Sequence, residues 1–263
     1  MPTTYAHDLF GKTVYEKINN EEIKKLIARH RMAYTVGLHG PDILFYVRPF
    51  HKNRINELGQ QLHREEAADF FEKGGALYRQ TKEEGALAYL LGFVCHFMLD
   101  STCHPCVTEY MKRTGAGHDE IETELDRALM EKSGKNPFFY HPACVIHPTK
   151  DCVRSIAAVL SDVSEKEVRH MLHAMKFYMG VTVCPTSLKR KALLGASKAV
   201  GAYNLVQGRI MRKEPRKLCA ESTKELERLL WLAVPETVTV LERYYQSVLS
   251  GEAVDARFDR NYN

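Results

Sequence analysis

His96, Asp100 and His104 stand four residues apart in the run Gly-Phe-Val-Cys-His-Phe-Met-Leu-Asp-Ser-Thr-Cys-His-Pro, from Gly92 to Pro105. An α-helix turns once in 3.6 residues, so each step of four advances a side chain by only about 40° around the axis. The three groups therefore share one stripe of a helix that is otherwise apolar, and that stripe faces the protein interior. Two imidazoles and a carboxylate buried together are costly unless something pairs them, and a divalent metal does so directly. The alternative is a core histidine, a hydrogen-bonded aspartate and a terminal histidine unrelated to both.

Three further pieces of sequence offer ligands of the same chemistry. Gly115-Ala-Gly-His-Asp-Glu-Ile-Glu opens a new helix, with Asp119 and Glu120 in its first turn, where acids suit the helix dipole. His118 and Glu122 sit at i and i+4 on it, fourteen residues after His104. Taken alone, such a pair is an ordinary solvent-facing one. The stretch 37–51 reads as a loop between helices and supplies Asp42 and His51, with His39 to spare; His7 stands near the start of the sequence.

Around these groups the chain predicts helices almost throughout, and no segment alternates convincingly as a strand. Ile23, Leu26, Ile27 and Met32 line one side of a helix over 20–36, and Leu58, Leu62, Ala67 and Phe70 one side of a longer helix over 52–80. Thr81-Lys-Glu-Glu fits a capping box for the helix bearing His96 and Asp100, which Pro105 should end or kink. Helices over 151–160, 164–179 and 223–249, with a helical pair within 186–212, complete an all-α, single-domain, multi-helix bundle. At 263 residues the chain can bury one substantial core, and no Pro/Ser/Gly-rich linker divides it, so 1–263 reads as one domain. The metal ligands fall within 1–125, and 126–263 completes the bundle.

The order His, Asp, His, His-x3-Asp, His, His-x3-Glu resembles the zinc-dependent phospholipase C family, whose sister branch is the single-strand-specific zinc nucleases. The likeness runs from Pro2 to about Glu122. It implies a cluster of two to three zinc ions. Asp42, His51, His96 and Asp100 would hold the first, and His104, His118 and Glu122 the second. Asp100 would bridge to a third, completed by His7 and the N-terminal amine, which Pro2 supplies once Met1 is removed. Imidazole and carboxylate ligands without thiolate suit hydrolytic zinc. The sequence departs from the family in its shorter spacings, Asp100 to His104 and Asp42 to His51, and in lacking a basic start and apolar core at residues 1–8.

The chemistry this implies is phosphoric-ester hydrolysis. Zinc lowers the pKa of a coordinated water to about 7, which provides hydroxide for in-line attack on a phosphodiester. Asp42 would orient or deprotonate the attacking water, the role implied for its family counterpart. No P-loop or Ser-His-Asp signature competes with this chemistry. One Glu-x-x-His, from Glu167 to His170, is too few for a ferritin-like di-iron site.

The expected substrate is a phospholipid or a small phosphodiester. Phe138, Phe139 and Tyr140, in a Pro-bounded loop, can line a mouth for a lipid tail or a base, or simply plug the space between helices. From 189 to 217 there are nine Lys and Arg and one acid, Glu214. That leaves nucleic acid as a second partner class and a zinc nuclease or nucleotidase as the alternative enzyme; a solvated helix face is the plainer account. A non-catalytic helical metal-binding protein is the third reading. Seven cysteines, an odd number without a leader, predict reduced thiols and a cytoplasmic protein. The longest apolar run, 85–99, is too short to cross a bilayer.

Overall fold

A computed structural model describes residues 4–48 and 51–262 of the chain. The described residues form helices and connecting turns, with no strand among them. In chain order the α-helices are α1 (Thr4–Lys17), α2 (Glu21–Arg29), α3 (Arg31–Gly37), α4 (Arg54–Arg64), α5 (Ala67–Thr81) and α6 (Glu84–Thr114). They continue as α7 (His118–Lys132), α8 (Lys150–Val159), α9 (Glu165–Thr182), α10 (Ser187–Ala199), α11 (Tyr203–Gln207) and α12 (Ala220–Ser250). A 3-10 turn, Gly40–Tyr46, bridges α3 to the approach of α4.

The bundle is organised around α6. From Gly85 to Ser101 every residue of that helix is buried, including His96 and Asp100. Helices α1, α3, α5, α8 and α12 pack around it. Its long neighbour α12 presents Leu226, Leu230, Val234, Thr237, Leu241, Tyr244 and Val248 inward, an i, i+4, i+7 stripe. Tyr244 satisfies its buried hydroxyl by donating to Phe71 O at 3.0 Å.

The crossing of α3 over α6 is set by two glycines. A Cβ on Gly37 would lie 2.2 Å from Tyr89 O, and one on Gly92 would lie 2.2 Å from Tyr34 O. With hydrogen in both places the backbones touch, and α3 delivers the following residues, 38–42, onto the face of α6 that carries His96.

Several helix boundaries differ from the sequence expectation, each for a local reason. The helix expected over 52–80 is two: α4 stops at Arg64, and Glu65 and Glu66 adopt extended backbone before α5. Similarly, 20–36 breaks at His30 into α2 and α3. Thr81 does not cap α6. It ends α5, donating to Leu77 O at 2.9 Å, and Lys82 turns the chain in the left-handed region.

Pro105 does not end α6, which runs on to Thr114. A proline leaves the carbonyl four residues earlier without its helical donor, here Ser101 O. Arg260 from the returning C-terminal segment donates its Nη2 to that oxygen at 3.2 Å, and Arg257 Nη2 bonds Ser101 Oγ at 3.1 Å. Because the helix continues, α6 reaches 31 residues and is long and apolar enough to cross a membrane by length and composition. This corrects the expectation from the shorter run 85–99. The apolar stretch is 94 % buried inside the protein, as a core helix is.

Candidate metal centre

Three elements, α1, the 3-10 turn and α4, converge on one face of α6. The first is α1, whose opening turn is fastened to α7 by Asp126. That buried carboxylate accepts from Tyr5 N at 3.0 Å and Ala6 N at 2.8 Å, supplying the first turn of α1 with charged acceptors. The anchored turn places the next residue, His7, over His96. The two imidazoles are stacked at 4.4 Å and 20°.

The second element is the 3-10 turn. Gly40 has φ +45°, and a Cβ there would lie 2.2 Å from His96 Cδ2, so only glycine lets this turn close over the ring. It also carries Asp42 to the same place. His96 Nδ1 lies 3.3 Å from Leu38 O. A carbonyl can only accept, so Nδ1 bears the proton and Nε2 presents a lone pair to the interior.

The third element is α4, and it brings a residue that the sequence did not single out. His63, in its last turn, puts Nε2 at 3.2 Å from Asp42 Oδ1, while its Nδ1 lies 2.7 Å from Gly59 O. With Nδ1 donating to a carbonyl, a neutral His63 would face Asp42 lone pair to lone pair. A cation, whether a proton or a metal, resolves that. A separation of about 3.3 Å is what two ligands on one tetrahedral zinc would show. His63 lies on the apolar side of α4 with Ile55, Gly59 and Leu62, a pattern readable from the sequence.

His51 does not join this group. It is exposed before α4, its carbonyl accepting from Asn53 Nδ2 at 3.0 Å. Asn53 also caps α4 by accepting from Ile55 N and Asn56 N, and Asn56 Nδ2 donates to Leu44 O. These bonds lay α4 along the 3-10 turn and bring its far end, rather than its approach, to Asp42.

The resulting donors form two overlapping groups: His7, Asp42 and His96, and His63, His96 and Asp100. Within each group the candidate ligand atoms lie within 4.8 Å of one another. Both nitrogens of His7 and Nε2 of His96 are buried without a hydrogen-bond partner among the described residues. Such groups are normally satisfied, so their convergence fits a bound cation. Burial holds the His7 and His96 imidazoles well below the usual histidine value, with neighbouring imidazoles adding to it. They are neutral at pH 7, the state that ligation requires. Burial would push the Asp100 carboxyl up, and its electrostatic neighbours, His96, His104 and His63 among them, hold it down instead.

Tyr262, buried in the returning C-terminal segment, floors this group. Its ring lies 4.8 Å from His63 and 5.7 Å from His96. His39 is buried beside the group as well, and burial pushes it down to about 4.

One turn beyond Asp100 on α6, His104 meets the start of α7. Its ring is 5.3 Å from that of His118, and His118 Nε2 is 2.8 Å from Glu122 Oε1. The chain thus gathers His7, Asp42, His96, Asp100, His104, His118 and Glu122 along α6, with His63 in addition. Pro2 lies outside the described residues.

The rim of the site shows where the basic stretch goes. Arg209 Nε bonds Asp119 Oδ2 at 3.2 Å, and Arg212 and Arg216 both reach Glu120 Oε1, at 2.8 and 3.2 Å. Much of the positive charge expected to meet a polyanion is therefore paired with the first turn of α7. Of the aromatic loop, Tyr140 packs edge-on to Tyr5 at 5.4 Å, Phe138 is half-buried, and Phe139 is 67 % exposed.

An all-helical bundle carrying buried imidazoles and carboxylates on its central helix belongs to the class of helical metal-site proteins. The family model of zinc dependent phospholipase C matches residues 6–176, and the chain belongs to that family. All the site residues named above from His7 to Glu122 fall inside the match. No curated protein and no solved structure matches the chain.

Proposed function

We propose that this chain hydrolyses phosphodiesters of the phospholipid headgroup type, using zinc held by His7, Asp42, His63, His96 and Asp100 and, beside them, by His104, His118 and Glu122. The convergence of buried imidazoles and carboxylates on His96, with both His7 nitrogens and His96 Nε2 lacking a hydrogen-bond partner among the described residues, carries this reading. Bound zinc supplies Lewis acidity toward a phosphoryl oxygen and acidifies water.

The chain's own groups supply the rest. Burial pushes the Asp42 carboxyl up to about 6, against the pull of His63. It is thus ionised at neutral pH yet more basic than a solvated aspartate, which suits a group that takes a proton from an attacking water. His63 orients it. Arg209 is a cation at the rim, held by Asp119 on the first turn of α7. Burial works against its charge, and Asp119, Tyr46 and Glu122 sustain it. We assign it to an oxygen of the substrate phosphate. Gly208 allows this placement, since a Cβ there would lie 2.9 Å from Asp119 Cβ.

The test is product analysis with zinc-loaded protein on a soluble short-chain phosphatidylcholine and, in parallel, on single-stranded DNA. Release of phosphocholine and diacylglycerol supports the proposal. Nucleotide release alone would assign the chain to nuclease chemistry, and no turnover of either would make the metals structural.

A further inference from the structure

Between Glu167 and Glu214 the sequence contains no acidic residue and nine Lys and Arg. Most of these cations are engaged within the protein. Arg209 and Arg212 pair with α7, Lys189 Nζ bonds Val183 O at 2.6 Å, and Arg190 Nη1 bonds Met211 O at 3.2 Å. Lys191 and Lys198, both exposed on α10, have no ion-pair partner among the described residues.

Helix α10 is unusual in what it shows to water. Ser197 is its only buried residue, and Leu193 and Leu194 are half-buried on the same side. The opposite side is led by Leu188, 77 % exposed, and Val200, 78 % exposed, follows the last residue of the helix. Tyr203 is also exposed at the start of α11. Large apolar side chains so fully in water, flanked by lysines and free of acids, are the pattern of a helix that lies in a membrane interface.

We propose that α10 and the turn into α11 dock the protein onto an anionic lipid surface, with Leu188, Val200 and Tyr203 entering the interface and Lys191 and Lys198 meeting lipid phosphates. Charge complementarity favours this partner: phospholipid presents both the apolar layer and the anionic headgroups that the two kinds of side chain need. A nucleic acid would use the lysines and leave the leucine and valine in water. The placement is consistent with the proposed reaction, because the chain after α11 returns through Arg209 and Arg212 to α7, beside His118 and Glu122. The segment lies beyond the part of the chain that matches the family model.

The experiment is co-sedimentation of the whole protein with phosphatidylcholine vesicles, with and without phosphatidylglycerol. It is run for wild type, for L188S/V200S and for K191E/K198E, alongside hydrolysis of the soluble short-chain substrate. Binding to the anionic vesicles is expected, weakened about tenfold or more by each double variant. Soluble-substrate hydrolysis and circular dichroism should not change, since these residues are exposed and away from the metal centre. Wild type that ignores vesicles, or variants that bind like wild type, would overturn the inference. So would single-stranded DNA binding that only K191E/K198E removes, or a dimer in sedimentation velocity that L188S/V200S dissolves. Vesicle binding is measured without turnover. Hydrolysis without binding therefore overturns only the docking surface, and binding without hydrolysis overturns only the proposed function.

Discussion

Replacing Gly40 by alanine probes how closely the turn that carries Asp42 is fitted to His96. The new Cβ would sit 2.2 Å from His96 Cδ2, 2.5 Å from Cγ and 2.8 Å from Nε2, where ordinary contact begins near 3.4 Å. The ring cannot simply slide away, because it is stacked on His7 and its Nδ1 faces Leu38 O. Either His96 leaves its place or the 3-10 turn lifts, taking Asp42 with it. Overpacking of this kind costs about 1–3 kcal/mol, and the left-handed backbone adds about 1–2 kcal/mol for a residue with a Cβ. Gly115 separates the two effects. It too has positive φ, +72°, but a Cβ there meets nothing within 4 Å. Chemical denaturation of the metal-free proteins should show Gly40→Ala losing about 2–5 kcal/mol and Gly115→Ala only the backbone share, about 1–2 kcal/mol. Gly115→Ala should keep its full zinc content while Gly40→Ala loses at least one ion. Equal losses in the two variants, with zinc retained in both, would refute the fit of the turn to His96.

Three further outcomes follow from the contacts. Asp126→Ala removes both acceptors from the first turn of α1 and should lower stability by about 1–3 kcal/mol in urea titrations; an unchanged midpoint would count against the anchor of His7. Arg260→Ala leaves Ser101 O without its donor and should cost about 1–3 kcal/mol, but less in a Pro105→Ala background, where the helix regains its own N–H. No coupling in that double-mutant cycle would refute the compensation. His39 has a lowered pKa in the fold, about 4 against about 6.5 in the unfolded chain. Its contribution is therefore complete above pH 6.5 and declines as pH falls toward 4, by about 3 kcal/mol. Metal-free His39→Gln should lack that share of the acid sensitivity, and an identical pH profile would contradict it.

The stripe of α6 was legible because helical periodicity and the cost of buried polar groups are local rules, and His96 and Asp100 obey both. His118 opening a helix toward Glu122 was legible from its acidic first turn. The partner of Asp42 was not. The family resemblance pointed to His51, whereas Asn53 and Asn56 fix the path of α4 and bring in His63. The continuity of α6 past Pro105 depends on Arg260, a residue 155 positions later, which no local rule anticipates. The same distance hid Tyr262 beneath the site and the pairing of Arg209, Arg212 and Arg216 with the first turn of α7. A charge run read alone looks free for a ligand, and its partners appear only once the chain has folded back.

The central claim is that these side chains hold zinc and that His63, rather than His51, is among the ligands. Metal content by plasma mass spectrometry on the purified protein addresses it directly, comparing wild type with Asp100→Asn, His63→Ala and His51→Ala. Two to three zinc ions per chain are predicted, with at least one lost in Asp100→Asn and His63→Ala and none in His51→Ala. Zero or one zinc in the wild type, or loss in His51→Ala with retention in His63→Ala, would contradict it.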